Sequence, residues 1–512
     1  MSVRSIVRST LQRQRLLTRK MATVAAPTHY DAIIIGSGQG GTPLAKALAE
    51  AQHKTALIER AHVGGCCVNE GCTPTKTMIA SGRVAELTRR GPGYGVHVPG
   101  LSRSDTDERD QDQSQNPIVI EMERVRQRKR EIVESFRSGG ERRLEAAGVD
   151  VLMGEASFVD GRTLAVAMRD GSSKMVTGGT IVINTGCRPS VPQIENLDAI
   201  PGDRVLDSTS VMELDRVPEH LVVVGGGYIG VEFGQLFRRL GARVTILHRG
   251  TQLLLREDPE LARLLLDVFR EDGMDVLLET TPVRLQPVTD EGFDVSIRSK
   301  QGDRVLSGVT HILFAAGRVP NTEQLNLDAA GVKIDKKGYI ATNEFLETSV
   351  PSIYALGDVK GPPAFTHVSY DDFRILKSSL LVTHPPAAKQ STRGRLVPYV
   401  AFTDPQFAHV GLHEHEAREK YPGKRILTAL MPMSYVARAL EIDEVRGAMK
   451  AVVDGESKLI LGFSCLGVEG GELMSVVQMA MAGNLSYEKL QDGIFAHPTL
   501  AESLNNLWTF LK

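Results

Sequence analysis

Three of the chain's five cysteines, Cys66, Cys67 and Cys72, fall within seven residues in the stretch GGCCVNEGCTPTK. Cys67 and Cys72 have four residues between them and are expected to open one helical segment running through residues 78–80. Thiolates are stabilised near a helix N-terminus, and this spacing lets two sulfurs meet at the first turn, so the pair reads as a redox dithiol. A zinc site and inert core thiols are the competing readings. Zinc needs two more ligands, and none is suitably spaced nearby. Lys76 follows one turn later and is a candidate partner for Glu232. Near the C-terminus, IFAHPTLAES sets His497 and Glu502 five residues apart. A carboxylate behind an imidazole fixes its tautomer and raises its basicity, which is how a thiol general base is built. Alone, His497 would read as structural; the cysteine pair gives it a task.

Two glycine motifs offer places for phosphate. In IIIGSGQGG, Gly36, Gly38 and Gly41 give G-x-G-x-x-G after an aliphatic run, and Glu59 follows 23 residues after Gly36. The first glycine permits a tight turn, the second a close approach to a pyrophosphate, the third close helix–strand packing. The acid suits ribose hydroxyls. In VVVGGGYIGVEFGQ, Gly225, Gly227 and Gly230 repeat the spacing, but the next strand ends VTILHRG. His248 and Arg249 stand there in place of an acid. Arg249 would attract a 2′-phosphate that a carboxylate repels, which favours NADPH over NADH; the bland reading leaves Arg249 on the surface.

These residues need scaffolds. Residues 30–35, 42–51 and 55–58 read as strand, helix and strand, and 220–224, 229–240 and 243–247 repeat the pattern. Two such βαβ units imply two doubly wound nucleotide-binding domains. Between them, residues 101–116 hold five acids, no aromatic and one aliphatic, so they are expected to form a mobile surface insertion. Met122, Val125, Ile132, Val133 and Phe136 then fall at helical spacing among basic residues expected to be solvated. After a polar linker at 390–393, strands at 399–402, 448–453 and 459–466 with two helices predict a third, α+β domain. A length of 512 residues suits three or four domains, and a formal net charge of −2 gives no reason to expect nucleic acid or a membrane surface as partner. No apolar run approaches the roughly 18 residues that would span a bilayer.

Together these motifs resemble the pyridine nucleotide-disulfide oxidoreductases, the family of dihydrolipoyl dehydrogenase, glutathione reductase and mercuric reductase. Matching stretches include NTGCRPSVP (Thr185, Gly186), AAGRVPN (from Gly317 to Asn321) and YALGDV (Gly357, Asp358). The resemblance covers residues 30–512 with every motif in family order. It implies FAD and a nicotinamide as cofactors, with Gly357 and Asp358 at the flavin ribitol and Tyr228 gating the nicotinamide. It implies Cys67 as the interchange thiol and Cys72 as the charge-transfer thiol. It also implies an obligate homodimer in which His497 and Glu502 reach the other subunit's cysteine pair. The expected division is an FAD domain (29–187), an NAD(P)H domain (188–316), a return to the FAD domain (317–390) and a dimerisation domain (391–512).

Within the family, REDPEL, MPMSYVARAL and LGVEGGELMS are similar to the mercuric reductase branch. That branch ends in a vicinal cysteine pair and this chain ends LWTFLK; no C-x-x-C metal-capture domain precedes residue 30; and His497 is retained where mercuric reductases typically lack it. The pattern resembles mercuric-reductase-like copper(II) reductases of bacteria. The leading expectation is therefore an enzyme passing electrons to Hg(II) or Cu(II), with Cys67 and Cys72 as transient ligands of the substrate ion. A dithiol–disulfide enzyme such as dihydrolipoyl dehydrogenase is second, and a non-enzymatic binding role is remote. Cys66, where the family usually has Thr, is either a further soft ligand or a Thr-sized spectator. The first thirty residues carry six basic side chains, seven Ser or Thr and no acid. They predict a mitochondrial presequence over 1–28; the bland readings are a disordered basic tail or an upstream extension with Met21 as the working start, and a cytoplasmic protein is the alternative.

Overall fold

The computed structural model describes residues 26–97, 118–288, 292–381 and 390–512. The basic N-terminal stretch, the acidic insertion at 101–116 and the prolines at 385–386 lie outside the described residues.

The first unit is a parallel sheet in the order Asp150–Phe158, Thr55–Glu59, Thr28–Ile35, Ser173–Ile183, Ile353–Ala355. Strand Thr163–Met168 pairs antiparallel with the outer ends of the 150s and 170s strands. The central strand reads as a continuous apolar run because both faces are covered, and Ile33 and Ile34 are fully buried. Helices Gly41–Glu50, Met122–Ala146 and Thr366–Leu381 cover the Ile34 side, and the antiparallel ends of the sheet with the segment 325–340 cover the Ile33 side. Helix Gly41–Glu50 returns from it over the glycine turn. A Cβ on Gly41 would stand 2.3 Å from the Gly36 carbonyl oxygen, so only glycine lets the helix start this close to the strand.

The second unit repeats the device with five parallel strands ordered Asp275–Leu277, Arg243–Leu247, His220–Val224, His311–Phe314, Val205–Leu206. Helix Tyr228–Leu240 follows its glycine turn, and a Cβ on Gly230 would meet the Gly225 oxygen at 1.9 Å. A three-stranded antiparallel sheet, Thr280–Pro287, Phe293–Ser299 and Gly302–Val309, flanks it. The chain then returns to the first sheet through Ile353–Ala355.

The third unit departs from expectation in detail. Its sheet has five antiparallel strands, with Gln406–Gly411 and Ile426–Pro432 added to the three foreseen, and it carries more than two helices, Gly470–Ala482 the longest of them. The basic helix Met122–Ala146 also departs. Its buried stripe is Met122, Lys129, Val133, Gly140 and Leu144, whereas Phe136 is 54% exposed. Lys129 is no solvated charge; it is buried and paired with Glu213.

Candidate active site

Cys67 and Cys72 do not share a helix. Cys67 lies on the short helix Gly65–Asn69, and Cys72 begins a separate one, Cys72–Arg90. Gly71 between them has φ −129° and ψ −117°, which breaks the helix and folds the second segment back so that the two thiols meet. Both cysteines are free thiols. The Cys67 S–H donates to Cys72, which pulls the Cys72 thiol down to about 6; Thr366, 3.3 Å from its sulfur, and the Lys76 ammonium pull the same way. The donor Cys67 is correspondingly held well above the usual thiol range, with burial adding to the effect. At neutral pH the pair is thus a Cys72 thiolate beside a Cys67 thiol.

One turn along, Lys76 Nζ donates to both Glu232 carboxylate oxygens at 2.8 and 3.0 Å, joining the two nucleotide-binding units. Glu232 Oε1 also accepts from the Phe402 N–H at 2.8 Å, which ties in the third unit. Cys66 points elsewhere: its sulfur accepts from Arg318 Nη2 at 3.4 Å, and burial pushes its thiol up. Among the described residues it is not gathered with Cys67 and Cys72 as a third ligand but neighbours the half-buried Arg318 guanidinium.

All of these groups line one cavity of about 2060 Å³, as do Ser37, Gly38, Glu59, Thr185, Gly186, Asp358 and Tyr228. That is about twice the upper end of ordinary small-molecule pockets, a size that suits dinucleotides. Glu59 ends its strand as expected, its Oε2 accepting from the Ser37 N–H and hydroxyl at 3.0 and 2.6 Å. Arg318 is half-buried, its Nε atom buried and lacking any hydrogen-bond partner among the described residues, and it lies near the half-buried Asp358 carboxyl. Burial raises that carboxyl although Arg318 and Lys360 draw it down. An orphaned guanidinium N–H and a half-buried acid on a glycine-rich wall fit the phosphates and hydroxyls of a bound dinucleotide. Gly317 and Gly357 sit at turns with φ +137° and +72°, beside Arg318 and Asp358 respectively.

In the second glycine unit, Gly226 N–H donates to His248 Nδ1 at 3.1 Å. This is the slot that Glu59 fills beside Ser37, taken here by an imidazole that burial and Arg249 hold neutral. Arg249 is exposed next to it, and neither it nor Gly225, Gly227 and Gly230 line the large cavity. His497 Nδ1 lies 2.9 Å from Glu502 Oε2, but the imidazole is 69% exposed and outside the cavity of its own chain. The structure therefore pairs these two without bringing them to the cysteines.

The pyridine nucleotide-disulphide oxidoreductase family model matches residues 30–372, and the dimerisation-domain model of the same family matches 397–508. The chain belongs to this family. The oxidoreductase is 34% identical over 487 residues to the probable pyridine nucleotide-disulfide oxidoreductase RclA of Escherichia coli, covering 94% of this chain and 99% of that one. It is 35% identical to the mercuric reductase of Staphylococcus aureus over 93% of this chain and 81% of the relative. It is 32% identical to the dihydrolipoyl dehydrogenase of Thermus scotoductus over 93% and 96%. Among solved structures, the Cu(II) complex of the HOCl-induced flavoprotein disulfide reductase RclA from Escherichia coli superposes with a TM-score of 0.82 at 33% identity, over 95% of this chain and all of that one.

The oxidoreductase is thus a flavin-dependent enzyme of mixed α/β fold with FAD-binding and dimerisation domains, working with FAD and NAD(P)H. Purified protein should be yellow, with about one FAD per chain. A folded, colourless protein that FAD cannot reconstitute would contradict this. Sequence reasoning passed over Arg318, Thr366 and a group formed by Glu257, His409 and His413. Arg318 sat inside a quoted motif. The spacing of His409 and His413 was visible but had no partner within reach in the sequence.

Proposed function

We propose that the enzyme passes electrons from NADPH through FAD and the Cys67–Cys72 pair to a soft metal ion, Hg(II) or Cu(II). The observation that carries this reading is the sulfur arrangement. A thiolate and a thiol in contact face the cavity, with no third Cys, His or Asp/Glu ligand gathered round them among the described residues. Two thiolates capture a soft ion, and the missing further ligands leave it free to depart once reduced. The Cu(II) complex of RclA and the mercuric reductase relatives support the same reading.

When bound, FAD supplies the relay that accepts a hydride from the nicotinamide and passes an electron pair to a disulfide. Cys67 and Cys72 then hold that pair as thiol and thiolate. Lys76, fixed by Glu232, keeps a positive charge beside Cys72 and steadies the thiolate. Delivering the pair to Hg(II), or one electron to each of two Cu(II) ions, re-forms the S–S bond and releases the Cys67 proton. Assays with Hg(II), Cu(II), lipoamide and glutathione disulfide test the assignment. Lipoamide turnover far above either metal would favour the dithiol–disulfide alternative.

NADPH is preferred because His248 occupies the acid's slot without its charge and Arg249 stands exposed beside it. Arg249→Glu should weaken NADPH much more than NADH, seen as a rise in KM for NADPH of roughly tenfold or more, the scale of a charge-assisted hydrogen bond. Equal effects on both nucleotides would mean that Arg249 does not read the 2′-phosphate.

A further inference from the structure

Tyr228 opens helix Tyr228–Leu240, which leaves the second glycine turn and one turn later carries Glu232, the partner of Lys76 beside Cys72. Its ring packs edge-on against Tyr399, with centroids 5.5 Å apart, and against Phe365 at 6.2 Å. Phe365 in turn precedes Thr366, whose hydroxyl lies 3.3 Å from the Cys72 sulfur. A nicotinamide whose phosphates rest on that glycine turn must therefore pass the half-buried Tyr228 ring to reach the thiol end of the cavity.

The Tyr228 hydroxyl is tied down. It donates to Glu257 Oε1 at 2.7 Å, and the Tyr399 hydroxyl donates to the same oxygen at 2.9 Å. The Glu257 side chain has no exposed surface, and its Oε2 has no hydrogen-bond partner among the described residues. The two phenols are thus what satisfies a buried acid, and burying such a group is unfavourable unless it is paired. Burial, and after it the nearby carboxylate, pushes both phenols up, so each stays protonated as a donor.

The acid itself is fixed in place. Leu254 N–H donates to the Gly226 carbonyl at 2.8 Å, the Glu257 N–H donates to the Leu254 carbonyl at 2.8 Å, and Gln252 Nε2 donates to the Glu257 carbonyl at 2.9 Å. The loop that carries Glu257 is thereby fastened to the glycine turn that Tyr228 leaves. Tyr399, having given its hydrogen to Glu257, has its oxygen 3.2 Å from His413 Nε2 and is held from behind.

We infer that Glu257 is a latch for the Tyr228 ring and Tyr399 its support, two positioning residues that set how readily the nicotinamide reaches the thiol end of the cavity. In the free enzyme the hydrogen bond to Glu257 keeps the ring across the path. Entry of the nicotinamide breaks that bond and turns the ring aside. Tyr399 then remains as the donor to Glu257, so the buried carboxylate is not stranded while the ring is out. A closed state that must open before binding raises the apparent Kd by the reciprocal of the open fraction. Weakening the latch should therefore tighten nucleotide binding, and removing the support should loosen it. The inference rests on Tyr228 gating the nicotinamide, as the resemblance implies. It concerns only the nucleotide half of the reaction and holds whether the electrons end on a metal ion or a disulfide.

The test titrates FAD-bound, full-length protein by calorimetry with nonreactive tetrahydronicotinamide analogues of NADPH and NADH, so that no turnover is needed. Tyr228→Phe keeps the ring and loses the hydroxyl; Glu257→Gln keeps the shape and loses the charge. Each should lower Kd by about fivefold or more. Tyr399→Phe should raise Kd by a similar factor, because opening then leaves the buried carboxylate without a donor. The factors should match for both analogues, since the latch acts at the nicotinamide end and not at the 2′-phosphate. In the Tyr228→Phe protein, Glu257→Gln should bring no further change, because the bond it weakens is already gone. In anaerobic stopped-flow with NADPH, Glu257→Gln and Tyr399→Phe should shift the concentration giving half the limiting rate of flavin reduction more than the limiting rate itself. Flavin content and melting temperature report whether each variant is folded. A Kd that Glu257→Gln leaves unchanged or raises, or additive effects of Glu257→Gln and Tyr228→Phe, would overturn the latch while leaving the FAD and NAD(P)H assignment intact. Should Tyr228→Phe also leave Kd unchanged, the ring does not stand in the nicotinamide's path, and the gating role falls with the latch. A Kd that Tyr399→Phe leaves unchanged or lowers would overturn the support.

Discussion

Cys72→Ser should abolish the long-wavelength thiolate-to-flavin charge-transfer absorbance expected of the reduced enzyme while FAD stays bound, and Cys67→Ser should keep that absorbance but lose turnover. The two outcomes follow from one hydrogen bond. The Cys67 S–H donates to Cys72, so the negative charge of the dithiol rests on Cys72, next to Lys76. A serine at 67 still donates a hydroxyl hydrogen and leaves the Cys72 thiolate in place. A serine at 72 removes the charge itself. Turnover in Cys67→Ser should drop by roughly a thousandfold or more with any disulfide or metal substrate, the scale on which loss of a covalent nucleophile is felt. The absorbance also carries a pH signature. The Cys72 thiol lies at about 6, below its ordinary value, so the thiolate persists above that pH and the band fades as pH falls through it. Full activity of Cys67→Ser towards the true substrate would mean that electrons leave directly from flavin, and the central reading would fail.

What could be read in the chain beforehand was whatever a local rule enforces. Gly41 and Gly230 are legible because a Cβ at either position would strike the carbonyl oxygen of the first glycine of the motif. Residue spacing carries that constraint without knowledge of the fold. The cysteine pair is legible as chemistry but not as geometry: the spacing alone continues one helix, and Gly71 breaks it. Phe136 was placed on the buried stripe because it is large and apolar. The stripe instead runs through Lys129, whose charge is satisfied by Glu213, a residue 84 positions away. The same blindness hid the Glu257 group. Its members come from the end of one domain's glycine unit and from a strand and helix cap of another, and only packing unites them. His248 lies between these cases. The missing acid was legible; that an imidazole fills the identical hydrogen-bonding slot was not.

His497→Ala should slow reduction of lipoamide or glutathione disulfide by roughly the hundredfold that a positioned general base contributes. Cys67 is held protonated because it donates to Cys72, so attack on a substrate disulfide requires a base to take that proton. Glu502, 2.9 Å from Nδ1, leaves Nε2 as the basic nitrogen. A soft metal bound directly by the two sulfurs displaces the same proton through its own Lewis acidity, so Hg(II) or Cu(II) reduction should fall much less. Equal losses with both substrate classes would remove the distinction between the two functions. The imidazole is exposed and outside its own chain's cavity, which supports the reading that it serves a second copy across the dimerisation domain. Mixed dimers decide this, since Cys67→Ser and His497→Ala homodimers should each turn over disulfide substrates at about a hundredth of the wild-type rate or less. In a heterodimer, a base acting across the interface rebuilds one complete site, from Cys67 of one subunit and His497 of the other. About half the wild-type activity per dimer should then return. A base acting within its own chain leaves every site in that heterodimer defective, and mixtures no more active than their parents would place His497 outside the proposed role.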